Sequence, residues 1–94
     1  EFGAEAVFGN KENPSSVNSW SEPYMAYVYR ENLKSFENIP NLRGITPWIL
    51  FDFLSVRRNN ATYQKGWNMK GLVSADGNRK EAWYIMNEYY KKKK

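Results

Sequence analysis

The sequence predicts an α/β chain of alternating strand and helix units, and three observations carry that prediction. The stretch Arg43-Gly-Ile-Thr-Pro-Trp-Ile-Leu-Phe-Asp-Phe-Leu-Ser-Val-Arg-Arg58 is almost continuously apolar over residues 44–53, as expected of a strand covered on both faces in a parallel sheet. Two segments, one on each side of it, carry apolar residues at helical spacing. The resulting order of strand end, loop, helix, strand, loop, helix is that of consecutive βα units. Two such units make a quarter of a closed eight-stranded barrel.

Each element has a local justification. Residues 1–7 read as the end of a strand or a strand-to-loop junction, with Gly3 permitting a bend. Residues 10–19 read as a loop, because Gly9-Asn10, Asn13-Pro14 and Ser15-Ser16 are turn chemistry without an apolar period. Ser21 followed by Glu22 and Pro23 is a helix entry: a hydroxyl to cap a free amide, an acid at the positive end, and a proline in the first turn. The helix is predicted to run to about Phe36, with Met25, Ala26, Val28, Tyr29, Leu33 and Phe36 forming one stripe, and Pro40 ends the unit. In the strand over residues 44–53, Pro47 is a weakness, since it cannot donate to a ladder. Residues 57–66 form a polar loop, in which Asn60-Ala61-Thr62 has the form of a glycosylation sequon. Beyond Gly77, residues 81–90 are helical, with Ala82, Ile85, Met86 and Tyr89 on one face.

A lone buried strand cannot satisfy its own amides and carbonyls. The strand over residues 44–53 is therefore expected to pair with strands outside this chain, and the isolated chain to expose an apolar edge and associate. The chain opens on Glu1-Phe2-Gly3 without a methionine, as a fragment or processed product would.

Composition excludes several classes. With 41% apolar and 17% aromatic residues in 94, the chain has ample material for a core and is not a disordered composition. No apolar run approaches the roughly 20 residues of a membrane helix, so no membrane partner is expected, and nothing reads as a signal peptide. The formal charge is +4, but residues 91–94 are all lysine, and without them ten basic residues face ten acidic ones. Basic residues gathered on one face would be needed to bind phosphate backbones. Nucleic acid is therefore not an expected partner, and the lysines read as a solvated helix end suited to the macrodipole. The absence of cysteine and histidine removes disulfides, Cys/His zinc sites, thiol nucleophiles and histidine triads. Carboxylates, lysines, tyrosines and hydroxyls remain for chemistry.

An ordered set of motifs adds a resemblance. Glu1-Phe2-Gly3-Ala4-Glu5, Leu42-Arg43-Gly44, Pro47-Trp48-Ile49-Leu50, Asp52-Phe53, Asn68-Met69-Lys70-Gly71-Leu72 and Arg79-Lys80-Glu81-Ala82 together resemble the end of the catalytic barrel in family 2 glycoside hydrolases, which include β-galactosidases and β-glucuronidases. The resemblance covers essentially all 94 residues. It implies that residues 1–94 are the C-terminal segment of a (β/α)8 barrel, comprising the end of strand seven, helix seven, strand eight and helix eight. It also implies a retaining β-glycosidase acting on terminal β-linked galactose or glucuronic acid, with a carbohydrate as substrate and the remaining barrel as structural partner. No cofactor and no metal are required for that mechanism.

The resemblance further assigns residues. Glu1 matches the family nucleophile, an ionised carboxylate that works with a protonated one about 5 Å away. The acid/base glutamate lies in the part of the barrel outside this chain, so the isolated chain is expected to be inactive. Trp48 matches the tryptophan that walls the sugar site, where an aromatic ring suits the apolar C–H face of a sugar. Asp52 is expected as a buried hydrogen-bonding brace near the site. Arg57, Arg58, Asn68 and Lys70 lie on the loop after the last strand, and the Asn68-x-Lys70 pair resembles the pair that binds the sugar carboxylate in β-glucuronidases; an amide and an ammonium at that spacing can converge on one carboxylate. The competing reading of Glu1 is a solvated terminal acid, with Glu5 as the nearest rival for its role. That of Trp48 is a core residue, and that of the Asn68-x-Lys70 pair is loop bracing. Trp20, Trp67 and Trp83 read as packing residues. A non-catalytic carbohydrate-binding or interaction module is the alternative reading of the whole chain.

Overall fold

The computed structural model describes residues 1–12 and 20–93. Its elements in chain order are α1 (Glu22–Phe36), β1 (Phe53–Leu54), β2 (Trp67–Asn68) and α2 (Glu81–Lys92), joined by long extended and turn segments. The turn chemistry at Asn13-Pro14 and Ser15-Ser16 lies outside the described residues.

Both helices follow from local sequence. Ser21 caps α1, accepting a hydrogen bond from the Tyr24 amide at 3.2 Å, and Pro23 sits in the first turn, where its missing N–H costs nothing. Met25, Ala26, Tyr29 and Leu33 of the predicted stripe are buried, while Val28 and Phe36 at its margins are half-buried. Helix α2 packs its Ala82 and Met86 against that stripe. Its basic end at Lys91 and Lys92 is exposed, as the macrodipole favours.

The region between the helices departs from expectation. Residues 44–53 are not one continuous strand covered on both faces: the chain makes single parallel bridges at Phe2↔Pro47 and Phe51↔Val73 before the two-residue β1. Its backbone changes partner along its length. Phe2 bonds across residues 46–48, through Phe2 N to Thr46 O at 3.2 Å and Trp48 N to Phe2 O at 2.8 Å. Residues 49–52 then pair with residues 70–73, through Ile49 N to Lys70 O, Leu72 N to Ile49 O, Val73 N to Leu50 O and Asp52 N to Val73 O. Much of the pairing expected from outside the chain is thus supplied by the chain itself.

The same register accommodates Pro47. The bonds to Phe2 are made by the residues on either side of it, so its missing N–H falls where the ladder does not need one. Part of this region stays uncovered: Leu50, Phe51, Leu54 and Val56 are 53%, 50%, 70% and 91% exposed. The apolar run read as a doubly buried strand is therefore only partly buried.

Gly71 is required by close packing. A Cβ there would run into the Asp52 backbone nitrogen and lie 2.5 Å from the Phe51 carbonyl carbon and 2.6 Å from the Val73 carbonyl oxygen. All three are backbone atoms of the paired segments and cannot move aside alone. Gly71→Ala is therefore expected to destabilise by about 3 kcal/mol, the upper part of the overpacking range. Urea denaturation checks this, and an unchanged midpoint would contradict it.

Candidate active site

The site begins with the pairing of Phe2 and Pro47. Because these two residues lie side by side, their neighbours Glu1 and Trp48 are brought to the rim of one cavity of about 500 Å³, lined also by Phe2, Gly3, Phe53, Ser55, Arg58, Asn68 and Lys70. Gly3 makes the approach possible, since a side chain there would meet the Trp48 carbonyl oxygen well inside contact distance. The Trp48 and Phe53 rings meet edge to face, with centroids 5.4 Å apart, an arrangement aromatic quadrupoles favour. They form an aromatic wall beside an acid.

The cavity also has cationic lining. Arg58 and Lys70 come from opposite ends of the loop over residues 57–70, and Asn68 stands between them on β2, which pairs with β1 in the register Phe53↔Asn68 and Leu54↔Trp67. Asn68 is nearly fully buried, and its Oδ1 accepts the Lys70 amide at 2.9 Å. With the oxygen so engaged, the amide nitrogen of Asn68 is left as the group offered to the cavity. An amide N–H, an ammonium and a guanidinium that share one cavity with a carboxylate and an aromatic wall can hold an anionic, partly apolar small molecule.

Of the residues singled out in the sequence, Glu1, Trp48, Arg58, Asn68 and Lys70 meet at this cavity. Arg57 and Asp52 do not line it. Residues 56 and 57 form a turn that leaves Arg57 exposed while Arg58 faces inward. Alternation along the extended chain sends the Asp52 carboxylate into the interior and turns Phe53 toward the cavity.

Asp52 meets a residue that sequence reasoning did not single out as functional. The Lys80 side chain is fully buried and donates to Asp52 Oδ1 at 2.8 Å, Ala6 O at 2.7 Å and Met69 O at 3.1 Å. Three donors meeting three acceptors is the pattern of an ammonium. Asp52 Oδ1 also accepts the Gly71 amide at 2.8 Å. Burial pushes the Asp52 carboxyl up and the Lys80 ammonium down, each opposed by its partner's charge. The pair ties the segment after Glu1, the segment after Trp48 and the start of α2 together.

Glu22 was also missed. Read locally it is an acid in the first turn of α1; in the fold it is buried and accepts from the Gly9 amide at 2.7 Å and the Glu81 amide at 2.7 Å, with the Lys11 ammonium at 3.2 Å. One carboxylate thus caps the start of α2 from the start of α1. Glu5, the rival for the role of Glu1, is occupied by Arg58, Gln64 and Met69. Trp20 packs on Tyr63, with rings stacked at 5.3 Å, and Trp83 lies under the Arg79 guanidinium at 4.0 Å, as packing residues do. Among the described residues no group of three His, Cys, Asp or Glu side chains could hold a metal ion, and no helix is long and apolar enough to cross a membrane.

No protein-family model matches the chain. It is 34% identical over 89 residues, 94% of its length, to a Formosa agariphila protein provisionally named β-glucuronidase, and 32% identical over 98% of its length to a β-glucuronidase of Bacteroides fragilis. It spans 11% and 14% of those relatives' own lengths. Its fold superimposes with a TM-score of 0.81 on part of the crystal structure of a β-galacturonidase of glycoside hydrolase family 2 from Eisenbergiella tayi, bound to galacturonate, at 22% identity over 96% of this chain and 16% of that one. Over nearly its whole length the chain is thus similar to a short part of proteins named β-glucuronidase, and it shares the fold of part of a family 2 glycoside hydrolase.

Proposed function

We propose that the chain is the closing quarter of the catalytic (β/α)8 barrel of a retaining β-glycosidase, and that the complete enzyme cleaves terminal β-linked uronic acids. The observation that carries this reading is the cavity that Glu1 lines together with Trp48, Phe53, Arg58, Asn68 and Lys70. The parallel pairing of Phe2 with Pro47 across α1 supports the barrel placement, because a strand, a helix and a parallel strand are its repeating unit.

In the proposed mechanism the Glu1 carboxylate attacks the anomeric carbon as the leaving oxygen takes a proton from a glutamic acid in the remaining part of the barrel. Water then releases the sugar from the Glu1 ester, with that second residue acting as base. Trp48 receives the apolar face of the sugar. Lys70 and the Asn68 amide bind its carboxylate through charge-assisted bonds, and Arg58 adds a planar fork. Lys70, the Arg58 guanidinium already paired with Glu5, and a donor amide suit a uronide better than galactose, whose neutral hydroxymethyl group offers the Lys70 ammonium no counter-charge. The names of the similar proteins, β-glucuronidase and β-galacturonidase, support that choice.

The test uses the complete enzyme with aryl β-glucuronide, β-galacturonide and β-galactoside. A uronide is expected as the preferred substrate, and Lys70→Met is expected to lower its kcat/KM by about 10- to 100-fold, the loss of one charge-assisted bond. Preference for the galactoside, or a Lys70→Met variant that cleaves uronides normally, would reject the uronide assignment.

A further inference from the structure

We propose that Glu5 is a positioning residue that sets the geometry of carboxylate recognition from outside the cavity. The inference rests on the uronide reading above and adds to it a residue that touches no part of the substrate. Glu5 is absent from the cavity lining, and its side chain is only 10% exposed. Its two oxygens accept from Arg58 Nη1 at 3.2 Å, from Gln64 Nε2 at 2.8 and 3.1 Å, and from the Met69 amide at 3.3 Å.

Those three partners mark the start, the middle and the end of the loop over residues 57–70. Arg58 itself lines the cavity, and Met69 lies between its other two polar contributors, Asn68 and Lys70. One carboxylate therefore fixes the distances among all three carboxylate-binding groups. It fixes them relative to Glu1 as well, because Glu5 lies four residues along the same segment, and that segment is bonded to the loop through Ala6 N to Met69 O at 3.0 Å.

Guanidinium geometry gives the arrangement its effect. The group is planar and carries five donors in a rigid fork, so holding one nitrogen on Glu5 orients the plane and leaves other N–H groups for the cavity. Gln64 is nearly buried and in turn accepts the Asn60 amide through Oε1 at 3.3 Å. The Asn60 side chain accepts the Thr62 and Tyr63 amides at 3.0 Å each, so the brace extends into the body of the loop. A Gln at position 5 would keep the shape, lose the charge, and present an NH₂ group where the structure has only donors to receive.

The experiment compares Glu5→Gln, Glu5→Asp, Arg58→Met and Glu5→Gln/Arg58→Met in the complete enzyme, with aryl β-glucuronide and β-galacturonide as substrates. Glu5→Gln is expected to raise the uronide KM about tenfold and change kcat less than about threefold. Glu5→Asp is expected to recover most of that loss. In the Arg58→Met background the Glu5 change is expected to add little, since residues sharing one network are non-additive. A fall in kcat without a rise in KM, or full additivity with Arg58→Met, would overturn the proposal and leave the uronide reading intact. If Glu5→Gln yields no folded protein, Glu5→Asp carries the test alone: a two- to threefold rise in KM at constant kcat supports the role, and an unchanged KM overturns it. A wild-type enzyme that prefers a neutral galactoside would overturn both readings together.

Discussion

Glu1→Gln in the complete enzyme is expected to lower hydrolysis of its preferred aryl β-uronide by on the order of 10⁴-fold, with substrate affinity changed far less. The carboxamide has the size and shape of the carboxylate, so the cavity formed with Trp48 and Phe53 would stay filled. It carries no negative charge to meet an oxocarbenium-like centre, and it cannot form the glycosyl ester through which a retaining enzyme works. Losses of that size accompany removal of members of a catalytic unit. A companion variant, Glu1→Ala, leaves room for a small anion. Added azide is then expected to attack the anomeric carbon directly and yield a glycosyl azide of inverted configuration, identifiable by NMR. Retention of more than a tenth of wild-type activity by Glu1→Gln would return Glu1 to the status of a solvated terminal acid and point to another carboxylate.

The second large effect concerns stability. Lys80→Met is expected to cost about 3–5 kcal/mol, the range for breaking a buried pair by removing one partner. Methionine fits the space of the lysine stem, so little of the loss would come from packing. What it leaves behind is the Asp52 carboxylate and the Ala6 carbonyl, which lose the ammonium, and the Met69 carbonyl, which keeps the Ala6 amide. Asp52 would keep only its Gly71 amide among these partners, and burial already disfavours its ionised form. Adding Asp52→Leu to Lys80→Met is expected to recover only part of the loss, because the Ala6 carbonyl and the Gly71 amide would still lack the partners they have here, while the Met69 carbonyl keeps only the Ala6 amide. Chemical denaturation of the two variants beside wild type measures this. A Lys80→Met protein as stable as wild type would mean that water satisfies those groups and that the ammonium is not what joins the three segments.

The helices were legible because their signals are local. Ser21, Pro23 and the stripe from Met25 to Leu33 describe α1 within sixteen residues, and no distant partner is needed to set its 3.6-residue period. The extended region was legible only as apolar chain. Its pairing, first with Phe2 and then with Gly71 to Val73, joins residues some twenty to fifty positions apart, and hydrophobic pattern carries no information about which edge receives which partner. Leu50 and Phe51 read as interior residues on composition, yet each is about half exposed, because within this chain the segment finds only partial cover.

The site divides the same way. The family resemblance, rather than residue type or spacing alone, marked out Glu1, Trp48, Asp52, Arg57, Arg58, Asn68 and Lys70, and all of these but Asp52 and Arg57 line the cavity. The supporting roles of Glu5, Glu22 and Lys80 left no such mark. Lysine and glutamate are by default solvated residues, and here they are buried only because backbone donors and acceptors from remote segments converge on them. Side-chain chemistry and helical period are properties of neighbours along the chain, whereas burial of a charge and the meeting of two segments depend on which distant groups can satisfy it, and that is settled only when the whole chain has folded.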